Sequence, residues 1–197
     1  TGPAAEHYEG IPAGRKQLLF SEEFDDNRRK WPVGKIGGGS MDFKLERGAY
    51  VLRAVEDQAQ IVFRQDIQID ESRDFEIEAC LRHLSGTENF GHFLFWGRSA
   101  DGKTLQFGIS GDGCYQVVIS HGATFENVIP WKKSALVKKD VPNTLTVRKV
   151  GKTYYYFLNG VLVHRMPFRP FDGRQIGFVV AKKATLSVDS LKVSYLD

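Results

Sequence analysis

From Leu18 to Tyr195 the chain is written in short segments that alternate apolar and polar residues, and Gly, Asn or Asp separate one segment from the next. A period of two puts successive side chains on opposite faces of a strand, so the pattern reads as many half-buried β-strands. Phe75, Ile77, Ala79 and Leu81 alternate with Asp74, Glu76, Glu78, Cys80 and Arg82. Leu105, Phe107 and Ile109 alternate with Thr104, Gln106, Gly108 and Ser110, and Tyr115, Val117 and Ile119 follow the turn Gly111-Asp112-Gly113. Phe43–Glu46 and Tyr50–Ala54 flank Arg47-Gly48-Ala49 as a hairpin, and Gln60–Ile69 is a further alternating run. Asn143–Val150 and Thr153–Leu158 form another hairpin around Gly151-Lys152, and Asn159-Gly160 is a type I′ turn signal before Val161–Arg165. Ile176–Ala181 and Thr185–Tyr195 close the series. One stretch competes: Leu52, Val55, Ala59 and Val62 also fit a helical face across Tyr50–Arg64, but no capping residue opens it and its flanks keep the period of two.

With 20 Gly and 24 aromatic residues (14 Phe, 7 Tyr, 3 Trp), Gly recurs too often for long helices, and aromatic strands cut by Gly turns predict an antiparallel sandwich or barrel. At 197 residues and 42% apolar content the chain has the length and core of one large domain. Residues 1–17, rich in Gly, Pro, Ala and charge, read as an arm or linker, and 18–197 as the domain. The start Thr1-Gly2-Pro3 has no Met and no signal-peptide pattern, and reads as the cut end of a longer polypeptide. Twenty-seven basic against 24 acidic residues leave a formal charge of +3, which argues against a dedicated nucleic-acid partner. No apolar run is long enough for a membrane span. Cys80 and Cys114 make no Cys-x-x-Cys pair and read as two thiols in strands, with a disulfide as the alternative. His7, His83, His92, His121 and His164 lack the spacing of a zinc site. Gly37-Gly38-Gly39-Ser40 lacks the Lys and helix of a phosphate loop, and no Gly-x-Ser-x-Gly elbow exists. The pairs Lys132-Lys133, Lys138-Lys139 and Lys182-Lys183 read as solvated loop tips or a weakly anion-attracting surface.

Three groups of residues carry chemistry. Alternation sets Asp74, Glu76 and Glu78 on one face of one strand. Residues two apart on a strand are separated by about 6.6 Å, so Glu76 and Glu78 can lean toward the roughly 5–5.5 Å that a retaining glycosidase needs between its carboxyls. The same three charges equally suit a solvated strand face that protects the sheet. The second group is His92, Trp96 and Arg98, which alternation puts together with Leu94 and opposite Phe93, Phe95 and Gly97. An indole that stacks on a sugar ring, with charged groups on its hydroxyls, is one reading; a core Trp96 with a satisfied His92 is the other. Trp131, between Pro130 and Lys132, is a loop residue that offers a further platform, and Gln106, Gln116 and Ser120 complete the face.

The order of the pieces resembles the concanavalin-A-like lectin/glucanase superfamily, nearest its laminin-G-like and 3-keto-disaccharide-hydrolase-like branches from bacterial envelope proteins. The landmarks are Phe20-Ser21-Glu22-Glu23-Phe24-Asp25 with Trp31, Gly48-Ala49-Tyr50, Asp74-Phe75-Glu76-Ile77-Glu78-Ala79 and Gly91-His92-Phe93-Leu94-Phe95-Trp96. Asp112-Gly113-Cys114-Tyr115, Asn143–Val147, Phe157-Leu158-Asn159-Gly160, Ile176-Gly177-Phe178 and Ser187–Val193 follow in the same order. The resemblance implies an all-β jelly-roll sandwich of two curved antiparallel sheets, and a fold that hosts lectins, hydrolases and interaction modules alike. Laminarinase-type hydrolases of the superfamily carry Glu-x-Asp-x-(x)-Glu; this chain has Asp-x-Glu-x-Glu without the preceding Trp and Gly. The resemblance also implies a structural calcium near the first and last strands, held by Asp25, Asp26 and Asp189. The expectation is a non-catalytic module for a glycan or protein ligand, belonging to a larger extracellular, periplasmic or cell-surface protein. Its ligand residues would be Glu76, Glu78, His92, Trp96, Arg98 and Trp131. The alternatives are a glycoside hydrolase using Glu76 and Glu78, and a structural protein-interaction domain.

Overall fold

The computed structural model describes residues 15–196. Fourteen of the 17 residues read as an arm, His7 among them, lie outside the described residues, as does residue 197. The fold is all β, and every strand pairing is antiparallel. In chain order the strands are β1 (Lys16–Glu22), β2 (Gly34–Ile36), β3 (Met41–Leu45), β4 (Tyr50–Ala54), β5 (Gln60–Arg64), β6 (Phe75–Gly86), β7 (Gly91–Arg98) and β8 (Lys103–Ser110). They continue as β9 (Cys114–His121), β10 (Phe125–Lys133), β11 (Asn143–Val150), β12 (Thr153–Leu158), β13 (Val161–Pro167), β14 (Gln175–Val180) and β15 (Ala184–Leu196). Nine strands make one sheet in the order β13-β12-β11-β6-β15-β4-β3-β2, with β1 also on β15. Six make the other in the order β10-β9-β8-β7-β14-β5.

The turns form where the chain carries residues that accept a left-handed backbone. Asn159 and Gly160 have φ of 50° and 79° between β12 and β13, and Arg47 and Gly48 have 54° and 70° between β3 and β4. Such turns match the right-handed twist of the strands they join. The helical reading of Tyr50–Arg64 fails: the stretch forms β4 and β5, with Tyr50, Leu52 and Ala54 all buried by strand alternation. The run Gln60–Ile69 is strand only to Arg64, and Ile67 reaches the core from the loop beyond.

The core is the space between the sheets, and aromatic residues dominate it. Trp96 of the six-stranded sheet meets Tyr154 and Tyr156 of the nine-stranded sheet at ring-centroid distances of 6.1 and 6.2 Å, and Phe107 meets Tyr156 edge-on at 5.4 Å. Phe24, Trp31 and Tyr50 make a second cluster, all within 5.5 Å of one another. Its buried polar ends are satisfied: the Trp31 indole N–H donates to Glu22 Oε2 at 3.1 Å, and the Tyr50 hydroxyl donates to the Pro32 carbonyl at 2.5 Å. Cys80 on β6 and Cys114 on β9 sit in different sheets and are both free thiols. Among the described residues no helix is long and apolar enough to cross a membrane.

Candidate functional site

Strand β7 decides which side chains reach the surface. His92, Leu94 and Trp96 point into the sandwich, where all three are wholly buried. The Trp96 indole N–H donates to the Tyr154 hydroxyl at 3.3 Å. An indole so enclosed has no face for a sugar, so Trp96 is a core residue and not a platform. Arg98 does not share that side. Gln175 of β14 faces Arg98 while Gly177 faces Phe95, so two residues of β14 match three of β7. This is a β-bulge, and Gly97 inside it has φ of 61°. The extra residue turns Arg98 to the outer face, where its guanidinium donates to the Gln175 carboxamide oxygen.

His92 is held by both nitrogens. The Ala181 N–H donates to Nδ1 at 3.1 Å, so the neutral ring carries its proton on Nε2 and donates it to His83 Nδ1 at 2.9 Å. His83 lies on β6, so this imidazole pair ties the two sheets together. Burial, then the neighbouring His83, push His92 from 6.5 down to about 3. His83 is also lowered, chiefly by burial, with Lys139 adding to the effect and Glu88 and Asp140 opposing it. A histidine whose folded pKa is depressed contributes stability that is complete above 6.5 and is lost as pH falls from there toward 3. The expected result is an unfolding free energy that declines by up to about 1.4 kcal/mol per pH unit per histidine below about pH 6. Urea midpoints measured across that range check it, and His92→Gln should flatten the slope. An unchanged slope in the variant would assign the acid sensitivity elsewhere.

The outer face of the six-stranded sheet mixes aromatic and polar side chains; Phe95 and Gln116 are buried within it, and Trp131 and Asn127 reach solvent. One row crosses it from Phe63 through Gly177, Phe95, Gln106 and Val118 to Asn127. The adjacent row runs Ile61, Val179, Phe93, Gly108 and Gln116. Beside this row Trp131 of β10 packs on Phe93, with ring centroids 5.6 Å apart and planes at 52°. Two glycines make room for the rings. A Cβ on Gly91 would fall 2.0 Å from the Trp131 ring, and one on Gly108 would fall 2.3 Å from the Phe93 ring. Trp131 remains 37% exposed, so its indole meets both the sheet and solvent. The Gln116 amide donates to Asn127 Oδ1 at 2.9 Å, which fixes two carboxamides next to the aromatic pair. Trp131 therefore lies on a strand, not in the expected loop, and its partner Phe93 lies opposite Trp96 as alternation predicts, on the side that faces outward.

Glu76 and Glu78 lie on the outer face of the other sheet. Glu76 is 4% exposed, and both its oxygens are engaged: Oε1 by Lys16 Nζ at 2.8 Å and Oε2 by Arg148 Nε at 2.5 Å. Arg148 in turn covers the Phe157 ring at 4.4 Å. Glu78 accepts from the Thr146 hydroxyl at 3.0 Å. Thus Glu76 is closed to a substrate, and the residue set expected to share one binding face is split between two outer faces and the core. The calcium residues do not converge either. Asp26 is bound by Arg28, and Asp189, in a bulge of β15, accepts from the Ser187 hydroxyl at 3.1 Å. Among the described residues no three His, Cys, Asp or Glu side chains gather as a metal site, whereas calcium needs six to eight converging oxygens.

No family model and no curated protein sequence matches the chain. Solved structures match it closely in shape. The carbohydrate recognition domain of Emp47p superposes with a TM-score of 0.66 at 13% identity, over 95% of this chain and 100% of that one. A laminarinase from Flavobacterium sp. UMI-01 gives 0.63 at 12% identity, over 90% and 100% of the two chains. The carbohydrate-binding module CBM66 from Bacillus subtilis gives 0.54 at 13%, over 90% and 96%. The fold is a concanavalin-A-like jelly roll. Binding modules and a hydrolase share this jelly roll, so the fold alone does not choose between their activities.

Proposed function

We propose that this jelly roll is a non-catalytic glycan-binding module whose ligand lies on the outer face of the six-stranded sheet, against Trp131 and Phe93. The observation that carries the reading is the aromatic pair seated on Gly91 and Gly108, with the Gln116 and Asn127 carboxamides fixed beside it. A pyranose offers an apolar C–H face and a rim of hydroxyls. The rings take the first, and the amides, each with donors and acceptors, take the second. Arg98 and Gln175 extend the polar side of the face at the far end of β7. The carbohydrate-binding neighbours of the same fold support the reading. A polymeric glycan ligand fits an extracellular, periplasmic or cell-surface setting, as one part of a larger protein.

The test is binding of the purified domain to a polysaccharide array, followed by Trp131→Ala on each ligand found. The half-exposed indole contributes little to the core, so the variant should keep its thermal midpoint. It should lose at least about tenfold in affinity, as removal of a central aromatic contact does. A Trp131→Ala domain that binds as tightly as the parent would move the ligand off this face.

A further inference from the structure

At the bulged end of β7 the loops β5–β6 and β13–β14 enclose a cavity of about 340 Å³. Ile67, Ile69 and Phe171 supply its apolar wall. Glu71, Asp172 and Arg174 stand among them as the charged groups. It lies some four residues along the strand from Phe93, or about 13 Å, so one sugar ring cannot touch both places.

The cavity is braced from three sides. The Asp172 and Gly173 N–H groups both donate to the Gly97 carbonyl, at 3.2 and 3.0 Å, which pins the β13–β14 loop to the bulge. The Phe171 N–H donates to Glu71 Oε1 at 2.7 Å, which ties that loop to the one after β5. The Phe171 ring rests on Gly97, where any Cβ would lie 2.8 Å from it. Glu71 Oε2, Asp172 and Arg174 carry no hydrogen bond or ion pair from their side chains among the described residues, so each is open to a ligand.

We propose that this cavity is a second binding site, for a single neutral sugar ring, either a free monosaccharide or the end of a glycan chain. The inference rests on the glycan reading above. The volume is at the low end for small-molecule pockets and suits one ring rather than a length of polymer. An apolar wall with polar groups at its edge is the complement of a ring with a C–H face and a hydroxyl rim. Two carboxylates against one guanidinium leave a net negative charge, which disfavours anionic ligands. Carboxylate oxygens accept from hydroxyls while the guanidinium donates to them, so the set can hold adjacent hydroxyls from both directions.

The experiment is a titration of the full chain with glucose, galactose, fructose and N-acetylglucosamine, followed by backbone amide resonances. Saturable shifts at Gly97, Phe171 and Gly173 are expected with at least one of them, or with a short oligosaccharide. If only the oligosaccharide shifts them, the chain end is the ligand; if the monosaccharide suffices, the free sugar is. Glu71→Gln keeps an acceptor for the Phe171 N–H, and Arg174→Ala alters an exposed side chain. Each should weaken that binding about tenfold, and Trp131→Ala should leave it unchanged. Shifts confined to Gly91, Phe93 and Trp131 would overturn the second site and leave the first standing. Cavity shifts without binding on the Trp131 face would do the reverse, and silence with every sugar would overturn both.

Discussion

Trp96→Ala is expected to cost about 3–5 kcal/mol of folding stability, and any loss of ligand binding should follow from that unfolding. The indole has no exposed surface, touches the rings of Tyr154 and Tyr156, and donates its N–H to the Tyr154 hydroxyl. Truncation leaves a cavity between the sheets and removes the hydrogen-bond donor that meets a buried phenol. Denaturant titration measures the loss directly. Trp96→Phe, which keeps most of the volume, should recover a large part of it. A Trp96→Ala domain with native stability and no affinity for glycans would instead put the indole at a binding surface.

Glu76→Gln should be nearly as damaging, at about 3–5 kcal/mol, because it removes the anion that Lys16 and Arg148 share in a buried ion pair. Lys16 and Arg148 both point at this carboxylate, and the side chains of Glu76 and Arg148 are 5% and 8% exposed. Lys16 belongs to β1 and Arg148 to β11, on opposite sides of β6 and β15, so the carboxylate clamps elements far apart in the chain. The measurement is again a denaturation curve, paired with an assay for polysaccharide cleavage. Loss of a cleavage activity in a Glu76→Gln domain that keeps its midpoint would reverse this assignment and make the carboxylate part of an active site.

The alternation in the chain located most strands and the turns at Arg47-Gly48, Gly111–Gly113, Gly151-Lys152 and Asn159-Gly160, because each of these rests on residues close in sequence. The site was less legible. Both faces of β7 are aromatic, so hydrophobicity alone could not say whether Phe93 and Phe95 or Leu94 and Trp96 turn inward. The bulge at Gly97 then broke the alternation, and only the pairing with β14 reveals that Arg98 has changed sides. Trp131 sits between Pro130 and two lysines, which reads as a loop; pairing with β9 makes it a strand. The charge of Glu76 looked like solubility, since its partners Lys16 and Arg148 are 60 and 72 residues away. Alternation did place Glu76 and Glu78 correctly opposite Phe75, Ile77 and Ala79. The Gly91 and Gly108 positions under the aromatic pair were a usable signal, since glycine inside a strand marks a close approach by another group.

Strand β10 is the outermost of its sheet, and an open edge invites another polypeptide to add itself by backbone hydrogen bonds. Its pairing with β9 slips twice between Asn127 and Lys132, Pro130 contributes no N–H, and Lys132 and Lys133 put positive charge at the end of the strand. A second molecule arriving there meets an irregular ladder and like charge instead of a template. The border strand that displays Trp131 to solvent is thus a poor template for a further strand along its own edge.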